Sequence, residues 1–289
     1  MFGPNRQLNP TDSTSHRAEE SLAVIENVRE LLTERFDLQD YDLLFVPGSG
    51  STGVEAVIES VRGQVILQGN MEGKFTQRWK QVSMAKASTK NTKKYDDLTM
   101  ICQLETSLSE HQAIPANIVD AVSSFPYYPI PTGTQIFITS SNKMLGALPG
   151  LAIVGVHKDA WHLIRERQYF SMLNLWMYKD NPVPVTMPIH TFKALEDRLQ
   201  APDHFIKLGN DIKIICNMIT GFFKPDDIIG DRECPVMTIK KSAIPDDIAK
   251  KYRLYGYNTD SEYYQIFTYS NDFKRYKEFI DDINSSKSK

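Results

Sequence analysis

Four short stretches hold residue types that could do chemistry. In the first, Pro47-Gly48-Ser49-Gly50-Ser51-Thr52-Gly53 lies between an apolar run, Asp42-Leu43-Leu44-Phe45-Val46, and a helix-forming stretch, 54–61, with Glu55, Ala56 and Glu59. A glycine-rich turn between a strand and a helix gathers free backbone N–H groups at the positive end of the helix dipole, which makes a phosphate cradle. Ser49, Ser51 and Thr52 add hydroxyls. The spacing matches neither a Walker loop nor GxGxxG, and by itself it reads equally as a tight connection. Three companions follow in order: Glu105-Thr106-Ser107, then Val119-Asp120-Ala121-Val122-Ser123-Ser124, then Ser140-Ser141-Asn142-Lys143 just ahead of Leu148-Pro149-Gly150-Leu151. Cradle, hydroxyl, carboxylate and amine together suit a phosphate-bearing molecule with a protonatable ring nitrogen and an aldehyde.

Positioning such groups on one ligand requires elements that bring distant stretches to one edge. Apolar runs at 64–67, 98–103, 118–122, 135–139 and 151–156 read as strands separated by helical or turn-rich pieces. That alternation favours an α/β fold with a mainly parallel sheet. In an open sheet of this kind ligands bind at the carboxyl ends of the strands, where all four stretches fall. Ahead of them, Leu22, Ile25, Val28, Leu31, Leu32 and Phe36 recur at helical spacing over 15–36. A further helical pattern over 188–199 ends at Ala201-Pro202, and the rhythm then changes: helix at 206–219, strand at 235–240, helix at 245–252, strand at 263–268, helix at 273–283. The expectation is a large ligand-binding domain over 14–200, a smaller α+β domain over 201–289, and an N-terminal segment, 1–13, packed near the active site.

Composition sets the outer bounds. The 289 residues are 41% hydrophobic and 24% charged, a globular balance that excludes a disordered or collagenous chain. A net charge of −3 offers no general attraction to nucleic acid or to an anionic membrane. Arg78, Lys80, Lys86, Lys90, Lys93 and Lys94 make one locally basic stretch, read first as a solvated helix and loop. No apolar run approaches the roughly 20 residues of a membrane span, and the polar start has no signal-peptide core, so the expected location is the cytoplasm. Cys102, Cys216 and Cys234 are widely spaced without a metal-ligand pattern, which predicts buried thiols and no metal site.

The ordered set of His16-Arg17, Gly48-Ser49-Gly50-Ser51, Phe75 with Gln77-Arg78, Glu105-Thr106-Ser107, the Asp120 stretch and Ser141-Asn142-Lys143 followed by Pro149-Gly150 resembles the class V aminotransferases. These are fold-type I pyridoxal phosphate enzymes, and the likeness is to the alanine–glyoxylate and 2-aminoethylphosphonate aminotransferases in a compact version. The resemblance implies that Lys143 joins the cofactor aldehyde as an internal aldimine and later moves the α-proton, while Asp120 pairs with the pyridine nitrogen and keeps it protonated. It also implies that Gly50, Ser51 and Thr52 hold the phosphate, that Phe75 stacks on the ring, and that Thr106 reaches the ring's 3-oxygen. Asn142 stands where a Gln commonly precedes the lysine. Thr186, in Thr186-Met187-Pro188-Ile189, matches a residue that such dimers lend to the neighbouring subunit's phosphate site, which implies a homodimer with shared active sites.

One departure bears on the reaction. The family usually carries an Arg on a small-domain strand to clamp the substrate carboxylate, and this chain has Gln265 there, with Arg253 or Arg17 as candidate replacements. The resemblance therefore implies an aminotransferase acting on a small-molecule amine or amino acid, beside two alternatives. One is a decarboxylase or lyase on an amino-acid adduct; compact enzymes of this sort also resemble phage-encoded ones that tailor adducts on DNA bases, the only route by which nucleic acid enters as a partner. The other is a catalytically silent binding module.

Overall fold

A computed structural model describes residues 15–89, 95–166, Ser171, 173–181, 183–270 and 272–287. Tertiary contacts divide these into two units, residues 15–103 with 112–202, and residues 104–111 with 203–287. The elements in chain order are α1 (Glu19–Arg35), β1 (Tyr41–Pro47), α2 (Gly50–Ser60), β2 (Val65–Leu67), α3 (Lys74–Thr89), β3 (Leu98–Cys102), β4 (Leu104–Glu105), β5 (Glu110–His111), β6 (Ile118–Asp120), β7 (Ile136–Ser140) and β8 (Leu151–His157). They continue with α4 (Ile189–Gln200), α5 (His204–Phe222), β9 (Ile228–Ile229), β10 (Val236–Lys240), α6 (Asp246–Tyr252), β11 (Tyr263–Phe267) and α7 (Phe273–Lys287).

The first unit is built on a six-stranded sheet in the order β1-β8-β7-β6-β3-β2. All neighbours are parallel except β8, which runs antiparallel to both β1 and β7. The reason is local: residues 141–150 are too few to cross back over the sheet, since a parallel return takes about a dozen residues or more. Every residue of β7 is buried, as is nearly all of β8, so these strands read as continuous apolar runs rather than alternating ones. Because β8 is reversed, its start lies at the same edge as the ends of β1 and β7, with Pro47 opposite Leu151 and Ser140 opposite Ala152. The Gly48 amide donates to Gly150 O at 2.9 Å across that edge.

Helix α2 lies against the sheet through Gly53, where a β-carbon would come within 2.8 Å of Ala152 Cβ and 2.9 Å of Ile138 Cγ2. On α3 the inward residues carry polar anchors. Ser83 Oγ donates to Val65 O at 2.5 Å, and Lys86, only 2% exposed, donates to Val61 O at 2.9 Å and Gly63 O at 3.0 Å. Its ammonium thus serves carbonyls at the end of α2 that the helix itself leaves unpaired.

In the second unit β11, β10 and β9 form a three-stranded antiparallel sheet, and β4 pairs with β5 in a hairpin. Residues 104–111, expected from sequence in the large domain, cluster here because that hairpin is bonded to the small sheet: Ser109 Oγ donates to Thr238 Oγ1 at 2.7 Å, and the Asp231 amide to Ser109 O at 2.7 Å. All three cysteines are buried thiols, as their spacing predicts. Among the described residues no helix is long and apolar enough to cross a membrane.

Candidate active site

The glycine turn is shaped by what its neighbours leave room for. Gly48 has φ +136°, a conformation side chains rarely adopt, and a β-carbon there would meet Thr52 Oγ1 at 2.8 Å. Ser49 caps α2 reciprocally with Thr52: Thr52 N donates to Ser49 Oγ at 3.3 Å, and Ser49 N to Thr52 Oγ1 at 3.2 Å. Among the described residues the amides of Gly50 and Ser51 and the Ser51 hydroxyl have no hydrogen-bond partner, which leaves three donors at the positive end of an 11-residue helix. Thr52, expected beside them, has its oxygen engaged in the cap.

Asp120 ends β6 and is 5% exposed. Both carboxylate oxygens are held: the Val122 amide donates to Oδ1 at 3.1 Å and the indole Nε1 of Trp79 to Oδ2 at 2.7 Å. The register sets Asp120 beside Ile138, the residue that faces Gly53, so the carboxylate points to the α2 side of the sheet. A buried carboxylate with two donors is an anion held in one orientation, suited to a cationic partner.

Lys143 lies in the turn after β7, a turn tied down by Ser141 Oγ donating to Leu148 O at 2.6 Å, by the Ala147 amide to Ser141 O at 2.8 Å and by the Gly146 amide to Lys143 O at 3.0 Å. Burial pushes the Lys143 ammonium below its usual pKa, and the nearby Asp120 charge pulls it part of the way back. The amine therefore gives up its proton more readily than an exposed lysine's does. Asn142, next to it, is half-buried.

The remaining expected residues are spread more widely. Phe75 begins α3, half-buried, with its ring centroid 6.4 Å from that of Trp79. Thr106 belongs to the second unit, where its carbonyl accepts from Gln265 Nε2 at 2.5 Å. Gln265 and Arg253 both line a pocket of that unit, together with Tyr255, Phe267 and Arg275. Thr186 is exposed ahead of α4. The basic stretch does not form one surface: Lys86 is buried, Arg78 is paired with Glu55 at 2.9 Å, and Lys90, Lys93 and Lys94, like the 1–13 segment, lie outside the described residues. Trp79 was not singled out by the sequence; the available signal was its position four residues after Phe75, on the same helix face.

No protein-family model matches the chain. Among solved structures, the chain is similar to the subgroup IV aspartate aminotransferase of Thermus thermophilus, with TM-score 0.75 and 16% identity over 96% of this chain and 97% of that one. It is also similar to ureidoglycine–glyoxylate aminotransferase of Bacillus subtilis, with TM-score 0.74 and 14% identity over 94% and 86% of the two chains. The chain thus has the fold-type I architecture of the pyridoxal phosphate-dependent aminotransferases, as the sequence resemblance implied. Among curated proteins, 91 residues are 36% identical to pyridoxamine–pyruvate transaminase of Mesorhizobium japonicum, a stretch covering 27% of this chain and 23% of that enzyme.

Proposed function

We propose that this chain is a pyridoxal phosphate-dependent aminotransferase acting on a small amine or amino acid. The observation that carries the reading is that Asp120 at the end of β6, Lys143 in the turn after β7 and the open amides of α2 share one sheet edge, with the Asp120 charge acting on Lys143. The donor set fits the cofactor: Gly50 N, Ser51 N and Ser51 Oγ suit its phosphate, Asp120 its protonated ring nitrogen, and Lys143 its aldehyde. When bound, pyridoxal phosphate supplies a ring that takes up the electron pair of a broken bond at the substrate's α-carbon. The chain's own residues do the rest. Asp120 would hold the proton on the ring nitrogen, and the Lys143 amine would act as the base toward the proton on the substrate's α-carbon. In this reading Asn142 assists at the phosphate, Phe75 stacks on the ring, and Thr186 serves the neighbouring subunit's site in a homodimer working in the cytoplasm.

A decarboxylase or lyase is the second reading. It is favoured by Gln265 itself, a neutral amide committed to Thr106 O that cannot supply the charge-assisted clamp an arginine would give at that residue. Purified protein mixed with pyridoxal phosphate should turn yellow, and borohydride should remove the visible band and label Lys143 in a peptide map. Label elsewhere, or no band, overturns the proposal. Conversion of the bound cofactor to its amine form on mixing with amino acids supports transamination; release of carbon dioxide with the aldehyde form retained supports the second reading.

A further inference from the structure

Trp79 is 1% exposed, and a buried indole N–H needs an acceptor. The acceptor it finds is Asp120 Oδ2, at 2.7 Å. Helix α3 is held where this bond can form. Arg78, the adjacent residue, lies 4.9 Å over the indole and bonds Glu55 on α2, while Ser83 and Lys86, one and two turns further on, bond the backbone beyond α2. The other carboxylate oxygen is held by the chain itself, through the Val122 amide.

Resting on the function proposed above, we infer that Trp79 is a positioning residue that sets the plane of the Asp120 carboxylate for the cofactor's ring nitrogen. Each carboxylate oxygen has two acceptor sites, so a ring N–H can be accepted alongside the indole. The torsion that orients a carboxylate is broad and roughly two-fold, so each added donor narrows its swing. Two donors on different elements remove that freedom before the cofactor arrives. Trp79 acts only through Asp120, so its effect should vanish when the carboxylate is gone.

The experiment titrates wild type, W79F, D120A and W79F/D120A with pyridoxal phosphate and reads the dissociation constant from the visible band. W79F should weaken binding by about tenfold or more, the scale of one lost hydrogen bond to a charged group. D120A should weaken it further, and the double variant should equal D120A. Unchanged affinity in W79F, or penalties that multiply in the double variant, overturn the inference. A second measurement stands if W79F does not fold: of the three indole N–H resonances in 15N-labelled cofactor-free protein, D120A should move one and leave two in place. Three unmoved resonances also overturn it. A wild-type chain that takes up no pyridoxal phosphate overturns the functional reading and this inference with it; one that takes it up equally well with and without Trp79 overturns the inference alone.

Discussion

Gly50 sits so close to Val122 that a β-carbon on it would lie 2.5 Å from one γ-carbon and 2.6 Å from the other. The contact joins the first turn of α2 to the loop whose Val122 amide holds Asp120. Exchanging Gly for Ala inside a helix ordinarily helps stability, so any loss from G50A reports the contact. G50A should weaken pyridoxal phosphate binding by about tenfold by displacing Val122, and G50A/V122A should recover most of it. Titration of the visible band checks both.

Lys143 carries a pH prediction. Its folded pKa is lowered, so it becomes a neutral amine at lower pH than exposed lysines do. Labelling of cofactor-free protein with an amine reagent, resolved by peptide, should show Lys143 reacting with an earlier pH midpoint. D120N should move that midpoint further down, because the Asp120 charge is what raises it. The linkage has a definite sign: between the folded and unfolded pKa values the unfolded chain holds more of this proton, so the residue's contribution to stability rises with pH across that interval.

Lys86 is an anchor rather than part of a basic surface. Replacing it with Ala leaves two buried carbonyls, Val61 O and Gly63 O, without their donor. K86A should cost about 3 kcal/mol of folding stability, measured by urea unfolding of the cofactor-free chain.

The thiols should be silent until the chain unfolds. Burial pushes Cys234 up to about 12 and raises Cys216, and all three cysteines are buried. A dithionitrobenzoate assay near neutral pH should find no fast-reacting thiol in the native protein and three in denaturant, because the thiolate is the reactive form.

Much of the frame was legible from patterns that act over a few residues. Helical spacing placed α1 and α4, the strand–glycine–helix order placed β1 and α2, and the apolar runs placed β2, β3, β6, β7 and β8. Lys143 and Asp120 stood out through the motifs around them. Within the basic stretch Lys86 departs from the solvated reading, because a lysine's charge says nothing about which way its helix turns it: Lys86 faces inward, while Arg78 is exposed and meets Glu55.

The sequence by itself determined the order of elements and the residue types set at each strand end, because hydrophobic period and turn chemistry are local properties of the chain. Only the tertiary structure decided that Asp120 takes its second hydrogen bond from Trp79, 41 residues earlier, and that residues 104–111 join the small sheet. Those choices depend on which helix packs over which strand and on where a buried donor finds an acceptor, and neighbours in sequence do not specify either.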